Sequence, residues 1–174
     1  MSDANSNDVA DLGFVSETSR PVKIPRALTR ASIWYQAPRS NPKFATIPEN
    51  TELVEVVTGG RGWVEIEGAW VEVTPGALLW HVEGDRTIAR NDWDNPYRCL
   101  VFGFETDRFR GQRRAPRLAW WRDAEEVERF AEKVIRAHLE ERTDREALLY
   151  YAYGRLLFQS RQWQRTTIPK AELP

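Results

Sequence analysis

Between residues 51 and 104 apolar and polar positions alternate with a period of two, and after residue 123 the period becomes that of a helix. Thr51–Val57 (TELVEVV) is expected as a strand and Gly59-Gly60-Arg61-Gly62 as a turn. Trp63–Glu67 alternates, with Val64 and Ile66 on one face and Trp63, Glu65 and Glu67 on the other. Gly68-Ala69 turns the chain, Trp70–Val73 presents Val71 and Val73, Thr74-Pro75-Gly76 turns again, and Ala77–His81 is a further strand. Gly84-Asp85 leads into a strand over Arg86–Arg90, Asn91–Pro96 is a loop, and Tyr97–Phe104 closes the set. Upstream, Ser32–Tyr35 reads as a short strand, followed by loop marked by Pro38, Asn41-Pro42 and Pro48. Short alternating strands with Gly or Pro about every ten residues predict a β-sandwich or small barrel.

The helical part opens at Asp123, a capping residue with Glu126 three positions on. Val127, Phe130, Ala131, Val134, Ile135, His138 and Leu139 form one stripe. Thr143 and Glu146 repeat the capping pattern, and the next helix carries Leu148, Leu149, Tyr151, Ala152, Leu156, Leu157 and Phe158. The link around Arg142 is short, so the two helices are expected to be antiparallel. The chain thus divides into a mobile arm over 1–20, a β-barrel over 21–107, an Arg-rich linker over 108–122, a helical hairpin over 123–165, and a linker or truncated end over 166–174.

Composition narrows the classes. A chain of 174 residues can bury a core without disulfides or metals. A formal net charge of −1 gives no basic field for nucleic acid. The lone Cys99 excludes an internal disulfide, the N-terminus lacks the regions of a signal peptide, and no apolar run spans a bilayer, so the reading is cytoplasmic with no membrane partner. Eight Trp are many for this length and predict either core or the lining of a pocket or interface.

Reactive groups are few. His81 and His138 are the only histidines, and His138 falls on the helix, so a His-based metal site is not expected and no cofactor is called for. Cys99 lies mid-strand among apolar neighbours, where a thiol is inert, and no Gly-x-Ser-x-Gly elbow or phosphate-binding loop occurs, so no catalytic residue is assigned. Arg108–Arg117 holds five Arg and reads as a solvated linker rather than a phosphate contact. The second helix shows Leu148, Leu149, Tyr150, Tyr151 and Tyr153 rather than a polar base-reading face, which argues for association and against DNA binding by this segment.

The segments ELVEVVTGGRGWVEIEG, VEVTPGALLWHVEG and NPYRCLVFGF, in this order and spacing, resemble the N-terminal cupin of AraC-family transcription regulators. The marks are Gly59 to Gly62, Gly68, Pro75-Gly76, Gly84 and Phe104. The resemblance implies a mainly β fold, a cupin-type double-stranded β-barrel (jelly roll) followed by a C-terminal antiparallel helical pair. It further implies a small effector in the barrel, a homodimer through the helices, and DNA contact only through a separate helix-turn-helix domain not present in this chain. With Val54, Val56, Val64, Ile66, Val71 and Val73 pointing inward, Thr58, His81, Thr87, Ala89, Cys99 and Val101 are candidate ligand-binding positions, and Trp34 and Trp93 join them, with Trp80 in reserve. These positions lack the Arg, Tyr, His and Trp set that sugar-sensing members use on a pentose, which leaves room for a larger or more apolar effector; a barrel filled by side chains is the alternative. The dimer face falls on Val127, Phe130, Val134, Leu149, Tyr153 and Leu156. The competing function is a stand-alone cupin enzyme acting on a sugar or small acid.

Overall fold

The computed structural model describes residues 23–40, 42–107 and 113–163. The chain is mainly β, with two antiparallel sheets followed by two helices. The strands are β1 (Ala27–Tyr35), β2 (Thr51–Gly59), β3 (Gly62–Ile66), β4 (Ala69–Val73), β5 (Ala77–His81), β6 (Arg90–Asn91), β7 (Arg98–Glu105) and β8 (Leu118–Trp120). The helices are α1 (Ala124–Leu139) and α2 (Arg145–Trp163). A five-stranded sheet runs in the order β1-β7-β2-β5-β8, and a three-stranded sheet in the order β4-β3-β6.

Three layers follow from which residues pack together. Val57, Ala77, Leu79, Cys99 and Val101 of the large sheet pack on Val64, Val73, Ile88 and Tyr97 from the small-sheet side. The other face of the large sheet, with Val54, Val56, Leu78, Trp80, Phe102 and Phe104, packs on both helices. The central strands therefore bury both faces, and TELVEVV, ALLWH and CLVFGF are apolar at both parities for that reason. On β2 the inter-sheet residues are Leu53, Glu55 and Val57, so Val54 and Val56 face the helices and not the space between the sheets, contrary to expectation.

Local chemistry sets the connections. The β3–β4 hairpin turns on Glu67 and Gly68, both at positive φ (53° and 81°), as a two-residue type I′ loop. Gly60 sits at φ 69° in the turn before β3, where a Cβ would lie 2.1 Å from the Pro96 carbonyl oxygen, so only glycine fits. Asp123 caps α1 by accepting from the Glu126 N–H at 2.9 Å. The Glu126 carboxylate, however, turns to α2 and the sheet margin, accepting from Trp121 Nε1 at 2.8 Å and Gln159 Nε2 at 3.2 Å and pairing with Arg155. The second cap is Asp144 rather than Thr143: its Oδ1 accepts from the N–H groups of Glu146 and Ala147, both at 3.0 Å, and a carboxylate is the better partner for a helix N-terminus.

Two expected elements change. Arg86–Arg90 forms only a bridge from Arg86 to Thr46 and the short β6. The supposed linker over 108–122 contains β8, which pairs with β5 through Ala77↔Trp120, Leu78↔Ala119 and Leu79↔Leu118. The arm over 1–20, residues 108–112 and the end over 166–174 lie outside the described residues.

Candidate functional site

Strand register brings the site together. On the inter-sheet face of the large sheet one row runs Ser32–Val101–Glu55–Leu79–Leu118 across β1, β7, β2, β5 and β8. The next row places Arg30, Gly103, Leu53 and His81 side by side. Glu55 thus sits mid-sheet with His81 diagonally across the strand pair, a distance long side chains can bridge.

They do bridge it. His81, fully buried, lies 2.9 Å through Nε2 from Glu55 Oε2, and Glu55 itself is only 6% exposed. Arg117 Nη1 lies 2.7 Å from His81 Nδ1. A guanidinium has no lone pair to give, so Arg117 donates, Nδ1 accepts, and the imidazole carries its proton on Nε2 and donates it to Glu55. Arg117 also pairs with Asp85 Oδ2 and donates from Nη2 to the Arg86 carbonyl at 2.6 Å. Asp85 is clamped further by Arg113, whose Nη1 donates to Oδ2 at 2.8 Å, and by the Val82 N–H at 2.7 Å. Burial pushes the Asp85 carboxyl up, but the Arg113 and Val82 hydrogen bonds and the charges of Arg117 and Arg113 outweigh it and hold it below the usual carboxylate range.

The contact of Glu55 with His81 runs through Oε2. Around it stand Tyr97 and Cys99, both buried in the inter-sheet cluster. Burial, then the Glu55 charge, raises the Tyr97 hydroxyl and the Cys99 thiol well above their ordinary values, which favours the protonated form of both. Trp34, on edge strand β1 opposite Cys99, is 44% exposed and marks the margin of the inter-sheet space.

A second buried acid lies on the helix face. Glu52 Oε2 accepts from Trp80 Nε1 at 3.1 Å and Tyr153 Oη at 3.0 Å, while Arg114 Nε stands 3.6 Å from Oε1. Burial raises the Glu52 carboxyl above its ordinary value despite Arg114, Tyr153 and Trp80. Arg113, Arg114 and Arg117, expected in a solvated linker, therefore form a strap whose arginines reach acids on both faces of the large sheet.

The remaining candidates are scattered. His81, Cys99 and Val101 face the inter-sheet space, and Trp34 stands at its margin. Thr58 does not: it sits at a bulge and lines a separate cavity of about 620 Å³ with Ile33, Tyr35, Leu100, Ala131 and Ile135, between the sheet and α1. Thr87 is buried with its hydroxyl accepting from the Ala45 N–H at 3.0 Å, a structural role. Ala89 and Trp93 line a groove on the outer face of the small sheet. The six residues assigned to a dimer face, Val127, Phe130, Val134, Leu149, Tyr153 and Leu156, are all buried in the core that the helices form with the large sheet, and so cannot be offered to a partner. A sheet apolar on both faces needs a second cover, and the helices supply it.

Glu55, Tyr97, Asp85, Arg113 and Arg117 were not among the sequence candidates. The signal for Glu55 was present: an acid inside a strand apolar at both parities has no wet face and must be satisfied internally. Among the described residues no group of three or more His, Cys, Asp or Glu is placed to hold a metal ion, and no helix is long and apolar enough to cross a membrane. No protein-family model matches the chain, and no curated protein matches it.

Proposed function

We propose that this chain is the effector-sensing and dimerising domain of an AraC-type transcription regulator, a binding domain and not an enzyme. On this reading the two sheets are the halves of a cupin-type jelly roll, and a small organic effector enters between them from the β1 margin. DNA is reached only through a separate helix-turn-helix domain, and the protein works in the cytoplasm. The observation that carries the reading is Glu55, a buried carboxylate on the inter-sheet face, held through Oε2 by His81 and standing beside Tyr97. An effector hydroxyl or amine that enters between the sheets donates to this carboxylate.

The strap supports the reading because a sensor needs a path from ligand to output. Arg117 holds His81 in the inter-sheet space, while Arg114 donates to Tyr153 Oη of α2 at 3.0 Å. A ligand that draws Glu55 away from His81 acts on Arg117 and thereby on the strap that grips α2. The dimer contact then belongs to the apolar residues α2 leaves exposed, Tyr151 and Phe158, two turns apart on one face.

The test is thermal unfolding of the purified chain against a panel of monosaccharides, polyols, hydroxy acids and small amines. At least one compound is expected to raise Tm in the natural chain and not in Glu55→Gln. A panel that leaves Tm unmoved, or shifts both proteins equally, removes the proposed site. Sedimentation at micromolar concentration is expected to give a dimer, and a monomer counts against the regulatory reading.

A further inference from the structure

The outer face of the three-stranded sheet carries a groove of about 710 Å³ that the proposed effector site does not use. Phe44, Trp63, Trp70 and Trp93 line it. Phe44, Trp70 and Trp93 are 48%, 42% and 55% exposed, which is a large apolar surface to leave in water without an occupant.

One polar group in the same groove is unspent. Arg90, opposite Trp63 in the β3–β6 pair, lays its guanidinium over the Trp70 ring at 3.8 Å from the centroid. Among the described residues it forms no ion pair and donates no hydrogen bond. The acids around it belong to other arginines: Glu72 and Asp92 to Arg61, both at 3.6 Å, and Glu65 to Arg86 at 3.4 Å. The groove therefore offers ring faces and one cation without a counter-ion.

We propose that this groove binds a planar aromatic carboxylate. Its ring stacks among the exposed tryptophans and its carboxylate takes the donor edge of Arg90. A cationic ligand is disfavoured because Arg90 already covers the Trp70 face. A neutral ring stacks as well but gives Arg90 no counter-charge. This site is separate from the inter-sheet space and stands or falls independently of it.

The experiment is calorimetric titration with two probes: 2-naphthoate and its carboxamide. The acid is expected to bind tighter. Replacing the carboxylate by carboxamide, or Arg90 by Gln, is expected to weaken binding by at least about tenfold, the worth of one charge-assisted hydrogen bond. Trp70→Ala and Trp93→Ala, both at exposed positions, are each expected to weaken it further, with circular dichroism confirming that the variants fold. Equal binding of acid and amide, unchanged binding by R90Q, or no heat with any probe overturns the proposal. Binding that is lost in Glu55→Gln yet kept in R90Q and W70A also overturns it, because the acid then occupies the inter-sheet space.

Discussion

Replacing Asp85 by Asn keeps the shape of the clamp and removes its charge. Asp85 faces two guanidinium groups whose side chains differ in exposure, Arg117 at 9% and Arg113 at 36%, with its own side chain at 14%. The Arg113 pair is close enough to solvent to be worth no more than about 1 kcal/mol. The Arg117 pair is buried, and removing one member of a buried pair costs roughly 3 kcal/mol because the other charge is stranded. The Val82 N–H keeps an acceptor in the Asn oxygen, so nothing is added for it. The expected loss at pH 7 is therefore about 3–4 kcal/mol, which for a domain of this size lowers Tm by roughly 6–15 °C.

The pH dependence separates this from a packing defect. Asp85 is held below the ordinary carboxylate range in the fold, so its stabilisation is complete above the unfolded value and is lost as pH falls through the lower folded value. Urea unfolding of the natural chain and D85N is expected to show the full difference from about pH 5 to 7 and a shrinking one below about pH 4. A loss under about 1 kcal/mol at pH 7, or a difference that does not change with pH, refutes the clamp. A double-mutant cycle with Arg117→Met is expected to recover part of the loss, since the stranded cation is then gone.

Further outcomes follow from the packing. Val134→Ala and Leu156→Ala are expected to cost roughly 1–4 kcal/mol in denaturant unfolding, being core changes, whereas Phe158→Glu is expected to leave unfolding within about 1 kcal/mol and to shift sedimentation from dimer to monomer. Glu52 has a raised folded value, so the stability it links to protonation is fully present below the unfolded value and is lost as pH rises through the folded one; Glu52→Gln is expected to flatten that slope in pH-resolved unfolding. Glu67→Asn in the type I′ hairpin is expected to stabilise by about 0.5 kcal/mol by chemical denaturation, because Asn tolerates φ 53° better than Glu. Gly60→Ala is expected to destabilise far more than Gly68→Ala, since a Cβ at Gly60 meets the Pro96 carbonyl while one at Gly68 meets open space.

The hairpins and both helices were legible because their signals are local: Pro-Gly turns, Asp caps and a period of two or of three and four. The layering was not, because it depends on which face of a strand is covered. TELVEVV supports inward-facing Val54 and Val56 as well as inward-facing Leu53 and Val57, and a shift of one residue exchanges the faces. That ambiguity moved Glu55 to the wet side and the helical stripe to a dimer interface. Closely spaced arginines likewise resemble a solvated linker until the acids they answer, Glu52 and Asp85, are brought to them from far along the chain. Ala89 reads as lining the barrel because alternation places a residue on a face without saying which sheet owns it.

The acids and the strap determine each other. Burying Glu52, Glu55 and Asp85 around one large sheet requires compensation on both of its faces, since a buried carboxylate without a counter-charge costs several kcal/mol. Three arginines within residues 113–117 provide it from a single segment: Arg114 towards Glu52, Arg113 and Arg117 towards Asp85, and Arg117 towards Glu55 through His81. The segment continues into β8, which pairs with β5, so Arg114 and Arg117 stand on one short stretch of chain anchored at its end. The proposed function requires that a change in the charge or hydrogen bonding of Glu55 reach Tyr153 through this segment. Because the coupling runs through paired charges, its strength must fall when either end is neutralised. Arg114→Met and Glu55→Gln are therefore expected to be non-additive in unfolding free energy although their partners lie on opposite faces, and strict additivity would mean that the strap holds two unconnected sites.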